Sequence, residues 1–352
     1  MNVMIFGGAG FIGTNMIKRC LERGDKVLCV DNLSSGRIDN IMQFHDKGIY
    51  TKLIDWIPTE HSSFKYKQTW FGNKQFLFIE ADITDNKLHD YLYRATESFY
   101  HTPERIDIIY NFACIASPEQ YIQKPLETLR SSLAVDWICK LAYCNNAKLL
   151  HSSTSEVYGD PDEKHHPQSE DYYGNVNTVG PRSCYDEGKR VAETIIYEWK
   201  NQHNIDAKII RIFNTYGPYM RPDDGRVVSN IITQILLREP LTIFGDGNQT
   251  RSFMYIDDLL DAIDLIVDSK EFGPFNVGNP KETTINNFVE LALETSFEED
   301  SIMIEHKELM QDDPKKRKPD ITKIKTTFGW EPKISLKEGL EKTFDYFRKM
   351  YC

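Results

Sequence analysis

The chain has 352 residues, 40% hydrophobic and 27% charged, and its 53 acidic against 42 basic residues leave a formal net charge of −11. This composition supports a large buried core and excludes a disordered chain, and the charge argues against a general nucleic-acid or anionic-membrane surface, so a pocket for an anion must be built residue by residue. The seven cysteines (Cys20, Cys29, Cys114, Cys139, Cys144, Cys184, Cys352) are scattered without a C-x-x-C pair, and neither an 18-residue apolar run nor a leader-like start occurs, so a cytoplasmic protein with no structural metal is expected.

Taken in chain order, short apolar runs alternate with helical stretches. Val3-Met4-Ile5-Phe6, Val27-Leu28-Cys29-Val30, Phe76-Leu77-Phe78-Ile79, Ile106-Asp107-Ile108-Ile109-Tyr110 and Lys148-Leu149-Leu150 read as strands. Continuous apolar strands alternating with helices predict an α/β fold with a doubly wound parallel sheet covered on both faces. Residues 208–213 and Pro274-Phe275-Asn276-Val277 would extend that sheet. Residues 46–74 are polar, aromatic-rich and aperiodic, and read as a surface insertion. After residue 213 turn clusters such as Gly217-Pro218 and Gly245-Asp246-Gly247 separate short elements, which predicts a first domain over 1–213 and a smaller α/β lobe over 214–352. Open α/β sheets bind ligands beyond the carboxyl ends of their strands, so the site is expected between the lobes.

The first run ends in Gly7-Gly8-Ala9-Gly10-Phe11-Ile12-Gly13 and is followed by a helix-like stretch over 14–23. Gly7, Gly10 and Gly13 give a G-x-x-G-x-x-G spacing, in which absent side chains let the turn tighten, the backbone approach a pyrophosphate and helix pack on strand. The next strand ends in Asp31, a carboxylate placed to bond ribose hydroxyls and to repel a 2′-phosphate. The expectation is a Rossmann-like domain binding NAD rather than NADP. Asp82 and Ala113 follow later strands, where residues border such a cofactor or serve as ordinary loop positions.

The fifth strand runs into His151-Ser152-Ser153-Thr154-Ser155-Glu156-Val157-Tyr158-Gly159, and Tyr185 and Lys189 follow at i and i+4. That spacing puts an ammonium beside a phenol on one helical face, where it favours the phenolate. Thr154 or Ser155 would hydrogen-bond a substrate hydroxyl while Tyr185 takes its proton, or would simply cap the next segment.

With Arg211-Ile212-Phe213-Asn214-Thr215-Tyr216-Gly217-Pro218, Asp224-Gly225-Arg226-Val227-Val228-Ser229-Asn230, Gln249-Thr250-Arg251-Ser252-Phe253 and Arg317-Lys318-Pro319-Asp320, the motifs resemble, in this order, an extended short-chain dehydrogenase acting on nucleotide sugars. More narrowly the chain resembles the UDP-glucuronate decarboxylases (UDP-xylose synthases), over about residues 105–350. The resemblance implies oxidation at C4 of the sugar to a β-keto acid, loss of CO2, and return of hydride to give a UDP-pentose. It implies Tyr185 as base, Lys189 as its partner and a ribose ligand, Thr154 and Ser155 as hydroxyl contacts, Glu156 as a carboxylate near C5 and Arg317 as a cation at the reacting end. It further implies Phe11, Ile12, Asn32 and Ile83 beside the cofactor, and Ser117, Tyr121, Asn214, Arg226, Val227, Arg251 and Tyr255 around the UDP-sugar. A homodimer through a four-helix bundle is implied as well. Its helices would carry Val191, Ile195 and Trp199 on one side and Leu129, Leu133, Trp137 and Leu141 on the other.

The chain departs from the pattern at residues 46–74 and 90–104, which look like additions, and at Ser131-Ser132-Leu133-Ala134-Val135-Asp136. Three alternatives stay open. A 4,6-dehydratase would need an acid where Ser155 stands. A 4-epimerase would leave Glu156 and Arg317 without a task, and a non-catalytic dinucleotide sensor could dispense with Tyr185 and Lys189.

Overall fold

The computed structural model describes residues 1–44, 70–72, 74–85, 87–100, 105–296, 302–308 and 317–351. In chain order the elements begin β1 (Asn2–Phe6), α1 (Phe11–Glu22), β2 (Lys26–Asp31), α2 (Ile38–Met42), β3 (Trp70–Gly72), β4 (Phe76–Glu80), α3 (Leu88–Tyr100) and β5 (Ile108–Asn111). They continue with α4 (Pro118–Gln123), α5 (Pro125–Leu133), α6 (Val135–Asn145), β6 (Lys148–Thr154), α7 (Ser183–His203) and β7 (Ala207–Ile212). The remainder is β8 (Thr215–Tyr216), α8 (Val227–Leu237), β9 (Leu241–Phe244), β10 (Thr250–Ser252), β11 (Met254–Tyr255), α9 (Ile256–Val267), β12 (Phe275–Val277), β13 (Glu282–Thr284), α10 (Ile285–Ser296), β14 (Ile304–Lys307), α11 (Thr322–Phe328) and α12 (Leu336–Tyr351).

The main sheet has the order β12-β7-β6-β5-β1-β2-β4-β3. The expected parallel pairing holds in register, Val3 opposite Val27 and Ile108, and Cys29 opposite Phe78. Its strands are apolar without alternation because helices cover both faces: Val3, Met4, Ile5 and Phe6 are all inaccessible to solvent. The predicted return of 274–277 to the sheet is also seen, with Phe275 paired to Ile210. One strand was not foreseen: β3 lies inside the stretch read as an insertion and pairs antiparallel with β4 at the sheet edge. The rest of that insertion, 46–69 and 73, lies outside the described residues, as do 101–104 of the stretch at 90–104; residues 90–100 belong to α3.

The chain divides into two compact units. The first comprises Met1–Ile115, Leu133–His151 and Ile195–Ala207, and the second Ala116–Ser132, Ser152–Thr194 and Lys208–Cys352. This differs from a single cut after residue 213, and the hydrogen bonds of the second unit give the reason. Glu193 on α7 takes Arg211 of β7 through both oxygens, at 3.0 and 2.7 Å, and accepts from Ser153 at the end of β6. Arg211 also donates to the Tyr158 hydroxyl (2.9 Å), which donates to Asn276 Oδ1 of β12 (2.7 Å). Asn276, wholly buried, spends its amide on the carbonyls of Gln168 (3.0 Å) and Asp320 (3.1 Å) and its backbone N–H on Glu170 (2.8 Å). Residues far apart in sequence are thereby bound into one unit.

That network predicts an order of stability. Each buried polar group left unpaired costs about 1–3 kcal/mol. Asn276→Leu takes a donor from the Asp320 and Gln168 carbonyls, the latter keeping the Asp320 N–H, and the acceptor from the buried Tyr158 hydroxyl, whereas Tyr158→Phe leaves Asn276 with its carbonyl partners and removes a single hydroxyl. Urea denaturation should show Asn276→Leu to be the more destabilised of the two.

Candidate active site

In the first unit β1 passes into the glycine turn, and the geometry explains each glycine the motif needs. Gly7 sits at φ +77, and a Cβ there would stand 2.7 Å from the Ala113 nitrogen; one at Gly13 would stand 2.2 Å from the Gly7 carbonyl oxygen. Gly10 is the N-cap of α1 and no side chain caps that helix, so its first N–H groups, which include those of Phe11 and Ile12, are presented without a competing side-chain acceptor. The cradle is thus kept narrow by backbone contact, which is what close approach of a pyrophosphate requires. Gly36, not singled out in the sequence, belongs to it: a Cβ there would meet Ala9 at 2.7 Å and Asp31 Oδ1 at 3.0 Å. Asn40 and Arg37 hold the Ala9 carbonyl from the other side, at 3.1 and 3.0 Å.

Asp31 is buried at the end of β2 and accepts from the N–H groups of Ala9 (2.9 Å) and Leu33 (2.8 Å). Burial pushes its carboxyl up to about 6, against the pull of those two N–H groups. Asn32 and Asp82 come together at 2.9 Å, and Asp82 also takes Thr84. Ile83 is buried, and its carbonyl receives the Trp137 indole at 2.8 Å.

Tyr185 and Lys189, with Thr154, Ser155, Glu156 and Arg317, lie in the second unit. Tyr185, buried on α7, stacks flat on Tyr121 of α4 with centroids 5.1 Å apart and 3° between planes. Lys189, one turn on and equally buried, places Nζ 5.8 Å from the Tyr185 ring centroid and anchors it on the Ser152 carbonyl at 2.7 Å. The Thr154 hydroxyl accepts from the Glu156 N–H (3.3 Å), capping the 3₁₀ turn Ser155–Tyr158 while keeping its own proton available to donate. Ser155 is buried at the start of that turn.

Glu156 and Arg317, given separate tasks in the sequence reading, are partners. Arg317 donates through Nη1 and through Nη2 (2.8 Å) to the two Glu156 oxygens, and Arg182 Nη2 adds a third bond at 2.6 Å. Burial alone would push the Glu156 carboxyl up, but the guanidiniums of Arg317 and Arg182 outweigh it and hold it at about 2. Arg182 was missed in the sequence; its signal was its place three residues before Tyr185, where it immediately precedes α7 and its carbonyl takes the Tyr185 N–H (3.0 Å). Arg317 is delivered by Gln168, another residue without a motif. The Lys318 N–H donates to Gln168 Oε1 (2.9 Å), the Gln168 N–H to the Lys318 carbonyl (2.9 Å) and the Asp320 N–H to the Gln168 carbonyl (2.8 Å).

The other expected substrate residues are spread over the second unit. Ser117 donates to the Asp224 carbonyl at 2.7 Å, and Asp224 pairs with Arg226 at 2.9 Å just before Val227 opens α8. The Asn214 carbonyl takes the Met254 N–H, and Arg251 on β10 folds back on the Thr250 carbonyl. Tyr255 is buried, edge-on to Tyr216 at 5.7 Å with Lys342 5.3 Å from its ring, and so packs toward α12. Among the described residues no group of His, Cys, Asp or Glu side chains could hold a metal ion.

Residues 3–278 match the family described as NAD dependent epimerase/dehydratase. The chain is 41% identical over 350 residues to UDP-glucuronic acid decarboxylase 2 of Arabidopsis thaliana, spanning 99% of this chain and 68% of that protein. Among solved structures it is similar to UDP-glucose 4-epimerase with UDP-glucose from Thermotoga maritima (TM-score 0.82, 26% identity, 100% of both chains). It is also similar to UDP-glucuronic acid 4-epimerase from Bacillus cereus in complex with UDP-glucuronic acid and NAD (TM-score 0.78, 26% identity, 100% of both chains).

The raised Asp31 carboxyl generates a pH prediction. If Asp31 takes the ribose, as its place after the glycine turn leads one to expect, only the ionised group can accept from both hydroxyls, and NAD affinity measured by titration calorimetry should be level above about pH 7. Below about pH 6 it should weaken by up to ~10-fold per pH unit, as one linked proton requires. Asp31→Ala should bind NAD⁺ weakly, show no such dependence, and discriminate less against NADP⁺.

Proposed function

Because the chain belongs to the NAD dependent epimerase/dehydratase family, alongside the UDP-glucuronic acid decarboxylases, we propose that it decarboxylates UDP-glucuronate through a 4-keto intermediate, giving CO2 and UDP-xylose or the UDP-4-keto-pentose. The observation that carries this reading is the Arg182–Glu156–Arg317 cluster in the same unit as Tyr185 and Lys189. Two buried guanidiniums against one carboxylate leave a cationic surplus suited to a substrate that carries its own carboxylate. A 4-epimerase or 4,6-dehydratase acting on a neutral hexose has no use for that surplus, and the position before Glu156 is Ser155, which supplies no acid for expelling water.

In this reading the cradle around Gly7, Gly10, Gly13 and Asp31, with Phe11, Ile12, Asn32, Asp82, Ile83 and Ala113, holds NAD. Bound there, NAD would supply the acceptor for the hydride of C4 and the donor for its return. Tyr185 accepts the proton of the C4 hydroxyl, with Lys189 fixing the charge beside its ring and Thr154 and Ser155 orienting the hydroxyl. Once C4 is a ketone, the carboxylate at C6 belongs to a β-keto acid and its bonding electrons flow into the carbonyl. Arg317 and Arg182 hold that carboxylate. Ser117, Tyr121, Asn214, Arg226, Val227, Arg251 and Tyr255 are assigned to the nucleotide and sugar, arginine supplying forked bonds to the diphosphate. No helix among the described residues is long and apolar enough to cross a membrane; a cytoplasmic location is part of the proposal and rests on the scattered cysteines.

Assembly as a homodimer is part of the proposal, with its surface revised. The sequence stripe through Leu129, Leu133, Trp137 and Leu141 is broken, since α5 ends at Leu133 and α6 starts at Val135; Trp137 turns inward, edge-on to Phe6 at 5.3 Å. The exposed apolar residues of these helices are Leu126, Leu133, Tyr143 and Tyr197, and Tyr143 is flanked by Trp199 (6.3 Å) and His203 (5.4 Å).

Incubation with UDP-glucuronate and NAD⁺ should release CO2, and Tyr185→Phe should lower turnover by ~10²–10⁴-fold. Arg317→Ala should separate the steps, retaining NADH formation while CO2 release slows; elimination of water from UDP-glucose with no CO2 from UDP-glucuronate would overturn the reading. Sedimentation at micromolar concentration should give a dimer that Tyr143→Glu dissociates.

A further inference from the structure

Loss of CO2 leaves an enolate across C4 and C5, and a proton must then reach C5. The donor has to be an acid that keeps its proton near neutral pH and can still give it up. Glu156 fails the first condition. Both its oxygens are occupied by Arg317 and Arg182, and it stays ionised down to about pH 2. The guanidiniums fail the second, because arginine does not deprotonate in proteins. Tyr121 is a poor acid as well, since burial pushes its phenol above the ordinary range.

One carboxyl remains. Asp186 lies in the first turn of α7, its N–H on the Arg182 carbonyl just before the helix (3.1 Å), and one turn ahead of Lys189. Its side chain is 7% exposed, and its Oδ1 is buried with no hydrogen-bond partner among the described residues. A buried carboxylate with a bare oxygen is costly, whereas the neutral acid is not. The charged groups facing it give the same answer. Burial first, then the negative charge of Glu156, push it up to about 7 against Arg182 and Arg317; Glu187 acts in the same direction as Glu156, and Tyr121 on α4, with Tyr185 and Lys189 on α7 itself, are further titratable neighbours.

We propose that Asp186 is the acid of this site: it meets the substrate as a neutral carboxyl group and delivers its proton, directly or across one water, to C5. The inference rests on the decarboxylase reading. The C5–C6 bond breaks, its electron pair enters the C4–C5 enolate and CO2 leaves. A C5–H bond then forms from that pair as the O–H of Asp186 breaks, and water restores the proton. The charge also balances. With Glu156 ionised and Asp186 neutral, the two arginines leave one positive charge, which the substrate carboxylate cancels; the same negative charge passes to the enolate oxygen and ends on Asp186.

The test is turnover of UDP-glucuronate in D2O. The wild-type protein should place one deuterium at a single one of the two C5 positions of the pentose, and the rate of product formation should fall as pH rises through about 7. Asp186→Asn keeps the volume and removes the acid. Product formation should drop by ~10²-fold, far more than first-turnover NADH formation, with deuterium at both C5 positions and the limb near pH 7 gone. Asp186→Glu should recover part of the rate. Wild-type-like rate, labelling and pH profile in Asp186→Asn, or a wild-type rate flat between pH 6 and 9, would overturn the inference while leaving the decarboxylase reading intact. Absence of CO2 from the wild type would sink both.

Discussion

A carboxylate buried against two guanidiniums is the constraint around which the second unit is arranged. An ionised carboxyl group out of water costs several kcal/mol unless it is paired and hydrogen-bonded, and Glu156 meets that requirement with three charged donors from two segments. One guanidinium, Arg182, stands immediately before α7. The other, Arg317, comes from a point 161 positions after Glu156 in the chain. To bring it there the segment 317–320 is laid against Gln168 in bridge register and tied to β12 through Asn276. Packing, the polar hub and the candidate chemistry of this unit are therefore one problem with one solution.

Much of this was legible in the sequence where the signal is local. The strands of the first unit showed as uninterrupted apolar runs because both of their faces are covered, and the glycine spacing showed because backbone contacts at Gly7 and Gly13 leave no room for a Cβ. The proximity of Tyr185 and Lys189 was readable because one helical turn is a fixed distance. The break between α5 and α6 was not legible, because Leu133-Ala134-Val135 contains no proline or glycine to mark it, and an apolar residue at helical spacing looks the same whether it faces a partner or, like Trp137, the sheet. The edge strand β3 was hidden in a stretch with no period.

What the sequence concealed most completely was function carried by position alone. Gln168 belongs to no motif, and its importance lies in hydrogen bonds to backbone about 150 residues away. Asp186 follows Tyr185 directly and was passed over because a single acid on a helix is ordinarily solvated. Only the buried neighbours, two arginines and a glutamate already spoken for, change its meaning. In both cases the missing information is tertiary.

The Glu156–Arg317 pair also bears on the direction of flow through the site. In the proposed reading an incoming carboxylate binds Arg317 by exchange, taking donors that Glu156 held, so association gains little from the ion pair itself and affinity comes from the nucleotide. Departure of CO2 removes the competitor, and the internal pair closes again. A pentose then faces a site that has nothing left to offer its reacting end, which makes its release easier than the return of a hexuronate would require. Commitment to the forward direction would thus be written into the resting state of the protein.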